Sequence, residues 1–166
     1  MLEILKYPDP RLHEKSLPVT DFTPELHQLL DEMARTMYGA NGVGLAAPQV
    51  GKLLRLFVID VAQQDGKTKK LYEFINPKLE NGEGKITFEE GCLSVPGISE
   101  EVQRKAKISV QYQDRHGQSQ RMEADELLAV AIQHENDHLD GILFVDRLSP
   151  LKRRLIKRKL TKVVTL

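Results

Sequence analysis

Apolar positions early in the chain recur at helical spacing. Leu26, Leu29, Leu30, Met33 and Met37 follow Thr23-Pro24-Glu25, which supplies an N-cap, a proline for the first helical position and an acid in the first turn. This pattern predicts a helix over 24–38 that ends near Gly39 and buries its stripe. Before it, Tyr7-Pro8-Asp9-Pro10 is turn-like, Arg11 to Lys15 reads as a short helical turn, and Leu17 to Thr20 as extended. After it the period changes. Leu54 to Asp60 is a continuous apolar run that reads as a buried strand, and Leu71 to Ile75 is the next, closed by Asn76-Pro77. Gln63 to Lys70, with Asp65-Gly66, reads as a polar hairpin connection, and Asn81-Gly82 as another turn.

Ile86 to Phe88 predicts a short strand leading into an irregular stretch, Glu89 to Pro96, bracketed by Gly91 and Pro96. Lys107 to Asp114 alternates with period two, and Arg115-His-Gly117 turns it into an antiparallel partner ending near Met122. A central helix follows from Ala124 or Asp125 to Asp140, with Gly141 as its C-cap signal. Ser149-Pro150 starts a last helix, on which Leu151, Leu155 and Ile156 are expected to pack inward between basic residues. Strands bracketed by helices without regular alternation argue for an α+β fold, with antiparallel sheets packed around the central helix and a C-terminal helix beyond it.

Composition narrows the class. A chain of 166 residues, 40% hydrophobic, fits one domain over 1–166 without disulfides. No apolar run is long enough for a bilayer, and Met1 opens on Leu-Glu-Ile-Leu-Lys rather than a basic then hydrophobic segment, so a cytoplasmic protein is the simplest reading. A monomer is expected. Residues 149–166 carry seven Lys and Arg and no acid, so residues 1–148 carry a net charge of −7. Such a basic end suits a polyanion such as RNA, or is merely a solvated helix.

The chemistry centres on His134-Glu-Asn-Asp-His138, because two histidines four apart on a helix share a face and can bind one metal, with Glu135 near a water there. A catalytic centre of this kind takes a third protein ligand and keeps an open position. Downstream there is none: position 144 is Phe, and no Glu or His follows His138. Upstream, Cys92 is the best candidate, a soft donor in a loop bracketed by turn residues, with a buried core thiol as the alternative. His13, His27 and His116 read better as surface residues. Gly42 to Gln49 is no phosphate loop, since it lacks the Gly-Lys-Ser/Thr ending and a strand follows. Its glycines instead let backbone approach a ligand. Leu127, Val130 and Ala131 lie seven, four and three residues before His134, so they continue its face as a side-chain pocket or as core.

Gly42-Val-Gly-Leu-Ala-Ala-Pro-Gln49, Glu90-Gly-Cys-Leu-Ser94 and His134-Glu-Asn-Asp-His138 resemble, in order and spacing, the three motifs of peptide deformylases. The likeness spans essentially the whole chain, including the basic C-terminal helix of the bacterial type. It implies that Cys92, His134 and His138 bind one divalent metal ion, Fe2+ in the family, with Zn2+, Ni2+ or Co2+ as substitutes. It implies an enzyme that removes the formyl group from the N-terminal methionine of newly synthesised polypeptides. Glu135 would act as general base and then acid, and the Gln49 side-chain amide and Leu93 N–H would stabilise the oxyanion. Val43, Gly44 and Gly91 would pair main chain to main chain with the peptide, and Leu127, Val130 and Ala131 would hold the methionine. The basic tail could contact the ribosome. One departure from some bacterial members is that Val95 to Glu101 contains no arginine. Two other classes stay open at this stage: a peptidase with a Cys-His-His centre, and an RNA-binding module with a structural metal.

Overall fold

The computed structural model describes residues 1–62 and 69–165, with side chains to residue 160. Its elements in chain order are α1 (Pro24–Gly39), β1 (Gly44–Ala46), β2 (Leu56–Ile59), β3 (Tyr72–Glu83), β4 (Ile86–Cys92), β5 (Val95–Arg104), β6 (Lys107–Gln113), β7 (Ser119–Asp125), α2 (Glu126–Leu139) and α3 (Pro150–Thr165). Short 3-10 turns cover Pro10–His13, Ala47–Val50 and Phe144–Arg147. A five-stranded antiparallel sheet has the order β1-β2-β3-β6-β7, and β4 and β5 pair as a separate hairpin. The fold is α+β, as the order of elements implied. Among the described residues no helix is long and apolar enough to cross a membrane.

The sheet lies between α1 and α2, which explains the unbroken apolar run in β2. Leu56 and Val58 pack towards α1 with Leu30, Met33 and Met37, while Phe57 and Ile59 pack towards α2 with Ala129, Ala131 and Ile132. Successive side chains point to opposite faces, so a strand covered on both sides must be apolar at every position. A third apolar cluster joins Leu5, Leu12, Val95, Val102, Phe144, Ile156 and Leu160 beneath the β4–β5 hairpin.

Helix α1 starts at the expected proline, with the Thr23 hydroxyl accepting from Leu26 N–H at 3.2 Å. Helix α2 lies within the expected span and ends at Leu139, with Gly141 (φ 75°) just past the cap, where an added Cβ would stand 2.5 Å from the His13 carbonyl oxygen. The β6–β7 hairpin is as expected, whereas the connection expected at 63–70 lies mostly outside the described residues.

Three expectations need correction. Strand β3 does not close at Asn76-Pro77 but runs on to Glu83, because Asn76 (φ 51°) and Asn81 (φ 55°) sit at register shifts where turn-forming residues are absorbed as bulges. The stretch 89–96 is not irregular throughout, since β4 continues to Cys92 and pairs with β5, a strand that polar Ser99-Glu-Glu101 disguised. On α3, Leu151 and Leu155 are 63% and 53% exposed, and Ile156 and Leu160 are the residues that reach the core. Two adjacent apolar stripes share that helix, and only tertiary contact chooses between them.

Candidate metal centre and cleft

The antiparallel register brings the Cys92 loop to α2. Cys92 pairs with Val95, so Leu93 and Ser94 form the connection between β4 and β5. The register shift between Gly91 and Cys92 breaks the ladder beside the thiol, as bulges next to functional sites do to re-aim a side chain. The thiol Sγ lies 3.4 Å from His138 Nε2. The donor atoms of Cys92, His134 and His138 all lie within 4.8 Å of one another, a group that fits a metal ion. A thiolate and two imidazoles suit a borderline divalent cation. His13, His27 and His116 are not in this group: His13 sits near Asp146 and the other two stack edge to face at the β6–β7 turn.

Electrostatics supports the same reading. Burial alone would hold His134 neutral, yet the Glu135 carboxylate and its bonds to Cys92 and Glu90 raise it well above the ordinary imidazole range. Burial, with the positive charges of His134, Arg104 and His13, keeps His138 well below that range, hence in the neutral form that ligates. Burial also pushes the Glu135 carboxyl up to about 7, with His134 and Arg104 opposing and Glu90 adding to the rise. Glu135 is not the exposed helical acid its position could have made it. Its Oε1 finds no hydrogen-bond partner among the described residues, and its Oε2 stands 3.9 Å from His134 Nε2.

Behind the donors lies a network that sequence reasoning did not assign. His134 Nδ1 is 2.8 Å from Glu90 Oε1, which makes Nδ1 the donor and frees Nε2 for the centre. Glu90 in turn accepts from Arg104 Nη2 and Nε, both at 2.8 Å. Arg104 Nη1 donates to Asp137 at 2.7 Å, and Arg147 donates twice to the same carboxylate. Arg104 and His134 hold the Glu90 carboxyl below its usual range although burial alone would raise it. The one available signal was Asp137 standing three residues after His134, on a neighbouring row of the helix.

Gln49 sits in the 3-10 turn after β1 and is 1% exposed. Its Oε1 accepts from Ala46 N–H at 2.9 Å, which fixes the amide so that Nε2 points to Ser94 Oγ (3.1 Å) and Cys92 Sγ (3.5 Å). Ser94 was another unassigned member of the site.

A cleft of about 600 Å³ runs over this centre, between the outer edge of β1 and the β4–β5 hairpin. Gln49, Val43, Gly44, Gly91, Leu93, Leu127, Val130, Ala131 and Glu135 all line it. Among the described residues strand β1 pairs with β2 alone, so one side of it is open there. The Val43 carbonyl accepts from Asp60 N–H at 2.8 Å and so faces β2, which by alternation turns Gly44 to the open edge. Leu127 serves both readings, since it lines the cleft and packs against the core cluster under α2.

At Gly44 an added Cβ would lie 2.5 Å from Glu135 Oε2. Gly44→Ala is expected to displace that carboxylate and lower kcat about 10²-fold with the fold intact. Steady-state kinetics beside a thermal melt measures this.

A model of the polypeptide deformylase family matches residues 1–154. A peptide deformylase of Thermodesulfovibrio yellowstonii is 48% identical over 159 residues, 96% of each chain. The crystal structure of a Legionella pneumophila peptide deformylase superposes with a TM-score of 0.91 at 46% identity, covering 99% of this chain and 96% of that one. A Synechococcus elongatus peptide deformylase solved in complex with actinonin superposes with a TM-score of 0.89 at 41% identity, over 96% and 88% of the two chains.

Proposed function

Because the chain belongs to the polypeptide deformylase family of enzymes, we propose that it hydrolyses the N-formyl group from the N-terminal methionine of newly synthesised polypeptides and releases formate. The observation that carries this reading is the convergence of Cys92, His134 and His138 beside a buried Glu135 oxygen that has no hydrogen-bond partner among the described residues, at a cleft that Glu135 lines. Cys92, His134 and His138 would hold one divalent ion, which when bound would lower the pKa of a water and, as a Lewis acid, polarise the formyl C=O. Fe2+ is the ion we propose, with Zn2+, Ni2+ or Co2+ able to replace it.

Glu135 takes the proton of the attacking water and hands it to the departing amine, a task suited to a carboxyl whose burial raises its proton affinity. The Gln49 amide, held by Ala46 and Ser94, and the Leu93 N–H stabilise the negative oxygen that forms. Gly44 and Gly91, with Val43 beside them, align the peptide by strand addition, and Val130, Ala131 and Leu127 hold the methionine side chain. Main-chain pairing leaves the sequence after the methionine free to vary.

The chain acts as one catalytic domain over 1–166, as a cytoplasmic monomer, and the basic segment 149–166, which contains helix α3, serves to contact the ribosome. Exposed Leu151 and Leu155 sit among Lys152, Arg153, Arg154 and Arg158, a surface suited to RNA phosphates with an apolar stripe between them. Truncation after Pro150 would also strip Ile156 and Leu160 from the core, so reversal of charge is the cleaner test. Arg153→Glu, Arg154→Glu and Arg158→Glu together are expected to weaken ribosome co-sedimentation about tenfold or more while formate release from a short peptide is unchanged.

The function itself is tested by formate release from a formyl-Met peptide, using protein purified without oxygen and loaded with Fe2+ or Ni2+. No formate from loaded protein overturns it. Cleavage of an unformylated peptide at an internal bond would instead favour a peptidase.

A further inference from the structure

Residues Leu5 to Tyr7 belong to no helix or strand, yet three hydrogen bonds tie them to the two loops that carry Gln49 and Leu93. Leu5 N–H donates to the Gln49 carbonyl at 2.7 Å, and Tyr7 N–H donates to the Ser94 carbonyl at 2.8 Å. Between them, Lys6 Nζ donates to the Leu93 carbonyl at 3.1 Å. The Gln49 side chain closes the circuit through its bond to Ser94 Oγ at 3.1 Å. The segment has its own anchor, since Leu5 is buried in the cluster that holds Leu12, Val95 and Phe144.

We infer that Leu5–Tyr7 is a brace that sets the spacing and direction of the Gln49 amide and the Leu93 N–H, with Lys6 as its positioning residue on the Leu93 side. The inference rests on the deformylase reading for the roles of those two groups. Its physical ground is the local connectivity. The β4–β5 connection consists of Leu93 and Ser94 alone, so the peptide unit whose oxygen Lys6 holds is the one next to the Cys92–Leu93 amide. Holding that oxygen restrains rotation about Leu93, and with it the direction of the neighbouring N–H. Donors aimed where charge develops are effective only when they need no reorganisation at the moment of reaction. The two donors come from separate loops, and the brace touches the main chain of both. The Lys6 side chain also lines the cleft, so a direct contact with substrate is the competing role that an experiment must separate.

The test uses the full metal-loaded chain with Lys6→Met, which keeps the apolar stem, and Lys6→Arg, which keeps a charged donor. Lys6→Met is expected to lower kcat for a formyl-Met peptide about fivefold, with KM within about twofold of wild type, and Lys6→Arg to recover most of the loss. Hydrogen exchange at the Leu93 and Ser94 amides of the metal-free protein is expected to speed up in Lys6→Met alone. Unchanged kcat or unchanged exchange overturns the brace. So does a loss confined to KM, which would make Lys6 a substrate contact. Wild-type formate release is measured first. Its absence would count against the deformylase reading, and the exchange comparison would then decide the brace by itself.

Discussion

Glu135→Gln, assayed with metal bound, will release formate about 10³-fold more slowly than wild type. Glutamine keeps the shape of the side chain and loses only the capacity to take a proton. The location makes the loss hard to replace, because Glu135 is 3% exposed and the donor group among the described residues, Cys92, His134 and His138, contains no carboxylate that could stand in for it. Its neighbour Glu90 is committed to Arg104 and His134 and is not free to act as base. Metal content measured on the same sample separates lost proton transfer from lost metal. A fully loaded variant within tenfold of wild type would mean that the proton goes elsewhere.

Arg104→Met will cost about 3–5 kcal/mol of unfolding free energy. The Arg104 side chain is 3% exposed and satisfies Glu90 with two bonds and Asp137 with one. Methionine fills much of the volume but leaves Glu90 as a buried carboxylate with His134 as its remaining side-chain partner among the described residues, while Asp137 keeps Arg147. A buried pair broken on one side costs far more than the intact pair contributes, because the remaining charge keeps its desolvation penalty. Since Glu90 orients His134, metal affinity is also expected to fall about 10–100-fold. Urea unfolding checks the first effect and metal competition titration the second. Adding Glu90→Gln to Arg104→Met should restore part of the stability, because it removes the stranded charge. A destabilisation below about 1 kcal/mol would mean that water reaches Glu90 in place of the guanidinium.

What the sequence disclosed depended on whether a signal was local. Helix α1 was legible because cap, proline and apolar stripe all lie within one short segment, and β2 because burial on both faces leaves no polar interruption. The His134–His138 pair was legible for the same reason, since helical spacing alone places both on one face. Strand β5 was hidden because the hairpin is covered on one side only, and its acids look like a loop. Arg104 was hidden more deeply. Its partners lie 14 and 33 residues away, and no periodicity marks a side chain whose purpose is to meet charges brought by other elements. Ser94 was visible as part of a motif, but its bond to Gln49 joins residues 45 apart.

The open edge of β1 carries a further consequence. A polypeptide can lie along a sheet edge only while its own N–H and C=O groups are uncommitted, and a segment already in a helix or sheet has none to offer. Under the proposed reading the enzyme is therefore restricted in time as well as in chemistry. It can serve a chain whose first residues are still extended and exposed, and it is shut out once they have folded.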